Sequence, residues 1–301
     1  MLNFEPIELR HKPLFQSSLA YFPDRTTEGS FATLYIWSHK YKVSLCYAGD
    51  MLYIRSDYGK TPVYLLPRGP GELAGSLLAL ERESEGRGYP FVLRGLTDDM
   101  RARVEAALPG RYGYKPHPEA ADYLYAAEDL RTLTGKKYHA KRNFINRFEN
   151  DYAGRWSYEE VTDGNLADVW EFQERWCRKN DCGGDASLRD ESIAITTLLN
   201  NREALGAYGG LLRVDGRVCA FTLGSPIGTD TIDIHVEKAD YDVAGAYPMI
   251  NRAFLRSHGA WASFVNREED LGLEGLRRAK QSYHPVSLLS KFTAMKEENI
   301  H

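Results

Sequence analysis

No stretch of this 301-residue chain approaches the ~18 consecutive apolar residues of a membrane-spanning helix, so no membrane span is expected. The opening MLNFEPIELRHK lacks the apolar run of a secretory leader, which predicts a cytoplasmic location. Cysteine is scarce, at Cys46, Cys177, Cys182 and Cys219. Cys177 and Cys182 alone are close in sequence, and their C-x4-C spacing has no second pair to complete a zinc site. No metal is therefore expected, and the thiols are expected to be reduced. Surplus positive charge is missing too. A formal net charge of -4 argues against a dedicated nucleic-acid binder while leaving room for a local basic face. Neither a G-x-S-x-G elbow nor a P-loop occurs, which argues against covalent serine hydrolysis and nucleoside triphosphate hydrolysis.

What is present reads as a folded chain of mixed α and β. Hydrophobic residues at 43% and charged residues at 27% give no compositional case for disorder. The length suits two domains of about 150 residues each. In the first half, Phe31–Trp37 fits helix or strand, and Val43–Tyr47 with Met51–Arg55 flank a tight hairpin turn at Ala48-Gly49-Asp50. Val63–Leu66, Phe91–Leu93 and Asp122–Ala126 read as strands, Glu72–Glu85 and Asp98–Leu108 as helices. The second half repeats this grammar. Asn165–Asn180, Ala246–His258 and Leu273–Tyr283 are predicted helices, and Asp215-Gly216 marks a hairpin between Gly210–Val214 and Val218–Leu223. Thr231–Val236, Ala262–Asn266 and a closing Val286–Met295 are predicted strands. Two related domains follow, over residues 1–130 and 156–301, joined by a basic connection at 131–155, with a single fused sheet as the alternative.

Four places carry candidate chemistry. In Ile232–Lys238, alternation puts Asp233, His235 and Glu237 in one row, where they could take an amine or its proton. A half-solvated strand with a polar outer face is the plainer explanation. The loop Asp240–Tyr247 brings Gly245 and Ala246 to the start of a helix, with Tyr247 beside them. Small residues there suit a phosphate on free backbone N–H groups, although an ordinary strand-to-helix turn explains them equally well. Arg131–Phe148 holds six cations and no acid. Read as a helix capped by Thr134, it turns Tyr138, Phe144, Ile145 and Phe148 to one side and Arg142 to the other, with Lys141 laid along the apolar face. Such a face could hold phosphates of a ligand or of RNA, or be simply solvated. Last, Asn266-Arg267-Glu268-Glu269-Asp270 interrupts an apolar strand. Asn266 and Arg267 can orient a carbonyl or phosphate, Glu268, Glu269 and Asp270 can receive an ammonium, and Tyr283 can donate a proton.

The segments TLTGKKYHAKRNFINRF, HVEKADYDVAGAYPMIN and FVNREEDLGLEGLRRAKQSYHP resemble a bacterial family grouped with the C-terminal catalytic region of phosphatidylglycerol lysyltransferases. The resemblance covers essentially the whole chain. It implies two tandem GNAT-like domains, the α/β mixed-sheet fold of N-acetyltransferases and Fem-type aminoacyltransferases. It makes Ile232–Lys238 the central splayed strand, whose backbone at Val236 and Lys238 would face an acyl donor, and Gly245-Ala246 a pyrophosphate loop, here without the usual Arg or Gln at its start. Glu237 takes the place of a general base, and Asn266 and Tyr283 those of the catalytic asparagine and tyrosine acid. The implied function is acyl or aminoacyl transfer to a small-molecule or peptide amine. Coenzyme A thioester and aminoacyl-tRNA are the candidate donors, and no tightly bound cofactor is expected. The competing reading is a non-catalytic GNAT-fold protein that holds a small ligand or peptide.

Overall fold

The computed structural model describes residues 2–296. The fold is mixed α/β, with two seven-stranded mixed sheets. The chain forms two compact units. The first comprises Met1–Asp122, Glu269–Glu274 and Leu288–His301, and the second Tyr123–Glu268 and Gly275–Ser287.

In the first unit the sheet runs, by neighbouring strands, Glu5–Pro6, Val43–Ala48, Met51–Ser56, Val63–Tyr64, Val92–Leu96, Phe292–Lys296 and Tyr112–Pro116. The expected hairpin is present, pairing Ala48 with Met51, and its two turn residues, Gly49 and Asp50, both have positive φ (55° and 60°). That is what a two-residue turn needs to match the strand twist. Phe31–Ile36 is helical, its first turn closed by Ser30 accepting from the Thr33 N–H. The helix Leu73–Gly86 buries Leu77 and Leu80 against the strand residues Leu93 and Leu96. One expectation fails here: Val286–Met295 is not a single strand. Ser287–Leu289 and Phe292–Lys296 belong to different sheets. The break falls at Lys291, a buried cation that bonds Asp122 and Thr27 at 2.8 Å each and pairs with Glu28 at 2.8 Å. Such an anchored lysine cannot lie in a continuous apolar ladder.

The second sheet runs Ser287–Leu289, Asp122–Ala126, Phe264–Asn266, Thr231–Ala239, Arg217–Ile227, Tyr208–Val214 and Trp156–Glu160. The hairpin at Asp215-Gly216 is present, again with both φ values positive. The helix Ala246–His258 connects two parallel strands, Thr231–Ala239 and Phe264–Asn266. A strand at Trp156–Glu160 and a helix at Ala186–Asn200, capped by Asp185, have no counterpart in the sequence-based expectations.

Three further expectations are corrected in this unit. The basic segment is not one helix from Thr134. Leu133 (φ 52°) ends a preceding helix, Ala127–Thr132, Gly135 (φ 92°) keeps a new one from starting at Thr134, and the long helix is His139–Asp151 with Tyr138 at its N-cap. Phe144 is 52% exposed and does not join Ile145 and Phe148 in the core. Cys177 and Cys182 are joined by a disulfide, because Asp181 takes a left-handed φ of 50° after the helix Leu166–Asn180 and folds the second cysteine back.

Candidate active site

The central strand of the second unit opens in two ways. Its parallel pairing with Phe264–Asn266 covers Thr231, Ile232 and Asp233 only, whereas its antiparallel pairing on the other side continues to Ala239. On that antiparallel side Leu223 faces Val236 but Gly224 faces Ile234, so His235 is an extra residue, a β-bulge. A bulge breaks the period of two. Asp233, His235 and Glu237 therefore do not form the single row that alternation predicts. Asp233 and His235 turn toward Ser225 and Glu268, and Glu237 turns the other way, toward the helix Ala246–His258.

Glu237 stands in a tight polar cluster. Its Oε1 accepts from Arg267 Nη2 at 2.8 Å and its Oε2 from Asn251 Nδ2 at 2.8 Å. The Arg267 guanidinium lies over the rings of Tyr283 (4.7 Å to the centroid) and Tyr125 (5.8 Å). Lys141 Nζ, from the helix His139–Asp151, lies 3.9 Å from the centre of the same Tyr283 ring. The frame around these groups is built from main chain. Tyr125 donates to the Lys280 carbonyl at 2.8 Å, Tyr138 to the Tyr283 carbonyl at 3.1 Å, and Lys280 Nζ to the Arg267 and Glu268 carbonyls. Burial works against charge on Lys141, the Arg267 guanidinium adds to it and Glu237 offsets part, so the lysine is pulled down to about 8. Burial also raises the Tyr283 hydroxyl well above the ordinary phenol value, against the pull of Arg267.

On the other side, Ser225 Oγ and His235 Nε2 are 2.8 Å apart. His235 Nδ1 lies 3.4 Å from Asp233 Oδ2 and 3.5 Å from Glu268 Oε1, with the histidine and aspartate side chains fully buried. Burial opposes the imidazolium, but Asp233 and Glu268 outweigh it and hold the His235 pKa above its usual value. Glu268 adopts a left-handed φ of 58°, held by its N–H donating to Asn266 Oδ1 at 2.6 Å. Asp233, His235 and Glu268 offer one ligand atom each, all within 4.8 Å of one another. Although no metal was expected from the sequence, this set has the chemistry to hold a cation.

The remaining expected site residues sit as follows. Gly245 (φ 84°) is a glycine because the helix His139–Asp151 crosses it: a Cβ there would overlap the Phe144 carbonyl and come within 2.9 Å of Phe148 Cβ. The Ala246 N–H donates to the Val243 carbonyl at 3.1 Å, and Pro248 has no N–H, so the first helical turn is poor in donors for a phosphate. Tyr247 packs against Tyr241, 5.7 Å between ring centres. The Val236 carbonyl accepts from Thr222 Oγ1 at 2.7 Å. Lys238 is pinned to Glu191 at 2.7 Å and lies over the Trp176 ring at 3.4 Å. Arg142 binds the carbonyls of Leu133 and Gly135, and Asp270 holds the turn to Gly272 N at 2.9 Å. Sequence reasoning missed Asn251, Tyr125, Ser225 and Lys280. Asn251 alone left a signal, a polar residue among Met249, Ile250, Phe254 and Leu255 on a buried helix face. A cleft of about 380 Å³ by Trp156, Tyr158 and Arg252 touches none of the expected residues.

The family model for the C-terminal region of phosphatidylglycerol lysyltransferase matches residues 19–295. The chain belongs to that family. A crystal structure of a conserved protein of unknown function from Bacteroides thetaiotaomicron is 37% identical, covers 99% of this chain and 100% of its own, and has a TM-score of 0.94. The phosphatidylglycerol lysyltransferase-like fold recurs at lower identity in L-PGS from Bacillus licheniformis (15% identical, 95% and 92% covered, TM-score 0.64) and in FemX (8%, 99% and 98%, 0.62). An uncharacterised protein of Mycoplasmoides gallisepticum is 24% identical over 180 residues, which span 58% of this chain and 56% of that protein. The architecture is that of tandem GNAT and Fem-type proteins, and no helix among the described residues is long and apolar enough to cross a membrane.

Proposed function

We propose that this protein transfers an aminoacyl or acyl group to an amine, with Glu237 and Tyr283 at the reacting atoms. The observation that carries the reading is the buried cluster of Glu237, Arg267, Asn251 and Tyr283 beside the opened strand. Glu237, directly or through one water, takes a proton from the acceptor ammonium. The freed nitrogen attacks the acyl carbonyl carbon, and the C–N bond forms as the bond to the leaving oxygen or sulfur breaks. Tyr283 supplies the proton to the leaving atom and is restored by the second proton, which the acylated nitrogen gives up as the amide forms. Backbone groups of the strand beyond Asp233, at Val236 and Lys238, polarise the carbonyl. Asn266 acts by holding the turn at Glu268, while Asp233 and His235 lie on the strand's other side and take no part in the proton transfer.

Two features favour aminoacyl-tRNA over a coenzyme A thioester. The loop at Gly245 is covered by Phe144 and Phe148, which leaves little room for a pyrophosphate. A phenol as hard to ionise as Tyr283 matches a ribose alkoxide, which needs a proton to leave, better than a thiolate, which does not. The family's name is that of a lysyltransferase, which is an aminoacyl rather than an acetyl transfer. Calorimetry should show no coenzyme A binding tighter than about 100 μM, roughly 5.5 kcal/mol. With aminoacyl-tRNA and an amine, Glu237→Gln should slow turnover by about 10²–10⁴-fold while donor binding persists. Equal rates for the parent and Glu237→Gln would end the catalytic assignment of that residue, and absence of turnover with either donor would favour a ligand-holding protein.

A further inference from the structure

Two cations share one aromatic ring in the second unit, and neither is fully matched by protein groups. Lys141 Nζ and the Arg267 guanidinium approach Tyr283 at 3.9 and 4.7 Å. Among the described residues Lys141 makes this ring contact and no ion pair. Arg267 gives Nη2 to Glu237, but its Nη1 is buried with no hydrogen-bond acceptor. A buried guanidinium N–H without an acceptor is costly, and a second cation beside it adds repulsion. A lysine on a helix surface could swing its flexible stem into water, yet this one lies against the ring. The segment that supplies it, Arg131–Phe148, contains no acid to neutralise it.

We propose that Lys141, Arg267 and Tyr283 form a binding subsite for a compact oxyanion, a carboxylate or phosphate carried by the substrate. The oxyanion accepts from Arg267 Nη1 and Lys141 Nζ and lies at the edge of the Tyr283 ring. One group thereby satisfies the orphaned donor and screens the repulsion between the two cations. The proposal rests on the transfer reading of Glu237 and Tyr283 and adds to it that a charged group of the donor or acceptor is fixed next to the reacting atoms. Because Lys141 is partly deprotonated near pH 8, anion binding there draws in a fraction of a proton.

The test is calorimetric titration of the full chain at pH 8 with sn-glycerol 3-phosphate and, separately, N-acetylglycine, each in two buffers of different ionisation enthalpy. At least one anion should bind saturably below roughly 5 mM, about 3 kcal/mol, with proton uptake. Lys141→Met should weaken it roughly tenfold or more, the loss expected for one charge-assisted hydrogen bond, and Lys141→Arg should retain most of it. Which anion wins separates a phosphate source from a carboxylate source. No saturable binding of either anion, or equal binding by Lys141→Met, overturns the subsite. Neither measurement needs turnover. Binding without any transfer would sink the transfer reading alone, and transfer without binding would sink the subsite alone.

Discussion

At the scale of single residues, Lys141 joins stability to function. Its folded-state pKa lies below that of an unfolded lysine, so at neutral pH both states carry the charge and only the folded one is penalised for it. Between about 8 and the ordinary lysine value near 10.4 the unfolded chain binds more protons, and stability should rise with pH. Lys141→Met should therefore melt at or slightly above the parent at pH 7, by no more than about 1 kcal/mol after allowance for solvent screening. The difference should shrink at pH 9.5 in parallel thermal scans. A clear loss of stability at pH 7 would show that the ring contact outweighs the charge penalty. Lys141 and Glu237 were both visible in the sequence as candidates, one from an acid-free segment and the other from a polar strand. Their meeting at Tyr283 was not visible, because it depends on which way the strand faces after His235.

At the scale of elements, legibility followed local backbone demands. The turns Gly49-Asp50 and Asp215-Gly216 need positive φ at both positions, and their residue types announce it. The helix Ala246–His258 was readable from its apolar stripe to the residue. The bulge was not, because its cause lies on the neighbouring strand. Gly224 has no side chain, and a Cβ there would stand 2.5 Å from the Asp233 carbonyl. That glycine lets the two strands close up where the register slips. Gly224→Ala should push them apart, at a cost on the order of 1–3 kcal/mol for an overpacked interior. The same shift should move Glu237 relative to Arg267 and depress turnover more than it depresses urea stability. An alanine variant with parental activity would mean that the bulge does not set the site. The basic segment misled for a related reason: charge and amphipathic spacing continue through Leu133 and Gly135, but their left-handed backbone does not.

At the scale of the whole molecule, the two-sheet architecture was predictable from the doubled grammar of hairpins, strands and helices and from the family resemblance. The path of the last residues was not. The apolar run Val286–Met295 reads as one strand, and only the buried contacts of Lys291 with Asp122 and Glu28 reveal that it serves two sheets. Removal of residues 291–301 should destroy the cooperative unfolding of the first unit, followed by proteolysis of fragments within Met1–Asp122, while the second unit keeps Tyr283 and its own sheet. Survival of the first unit in that truncation would show that Phe292–Lys296 is dispensable.

The strand Phe292–Lys296 lies between Val92–Leu96 and Tyr112–Pro116, inside the first sheet. On the ribosome, residues up to Asp122 emerge with a vacant lane in their sheet, and its filler, Phe292–Lys296, arrives only after the second unit has been made, on the order of ten seconds or more later. The part made first is thus finished last. For that interval two strand edges stand open to foreign β-segments.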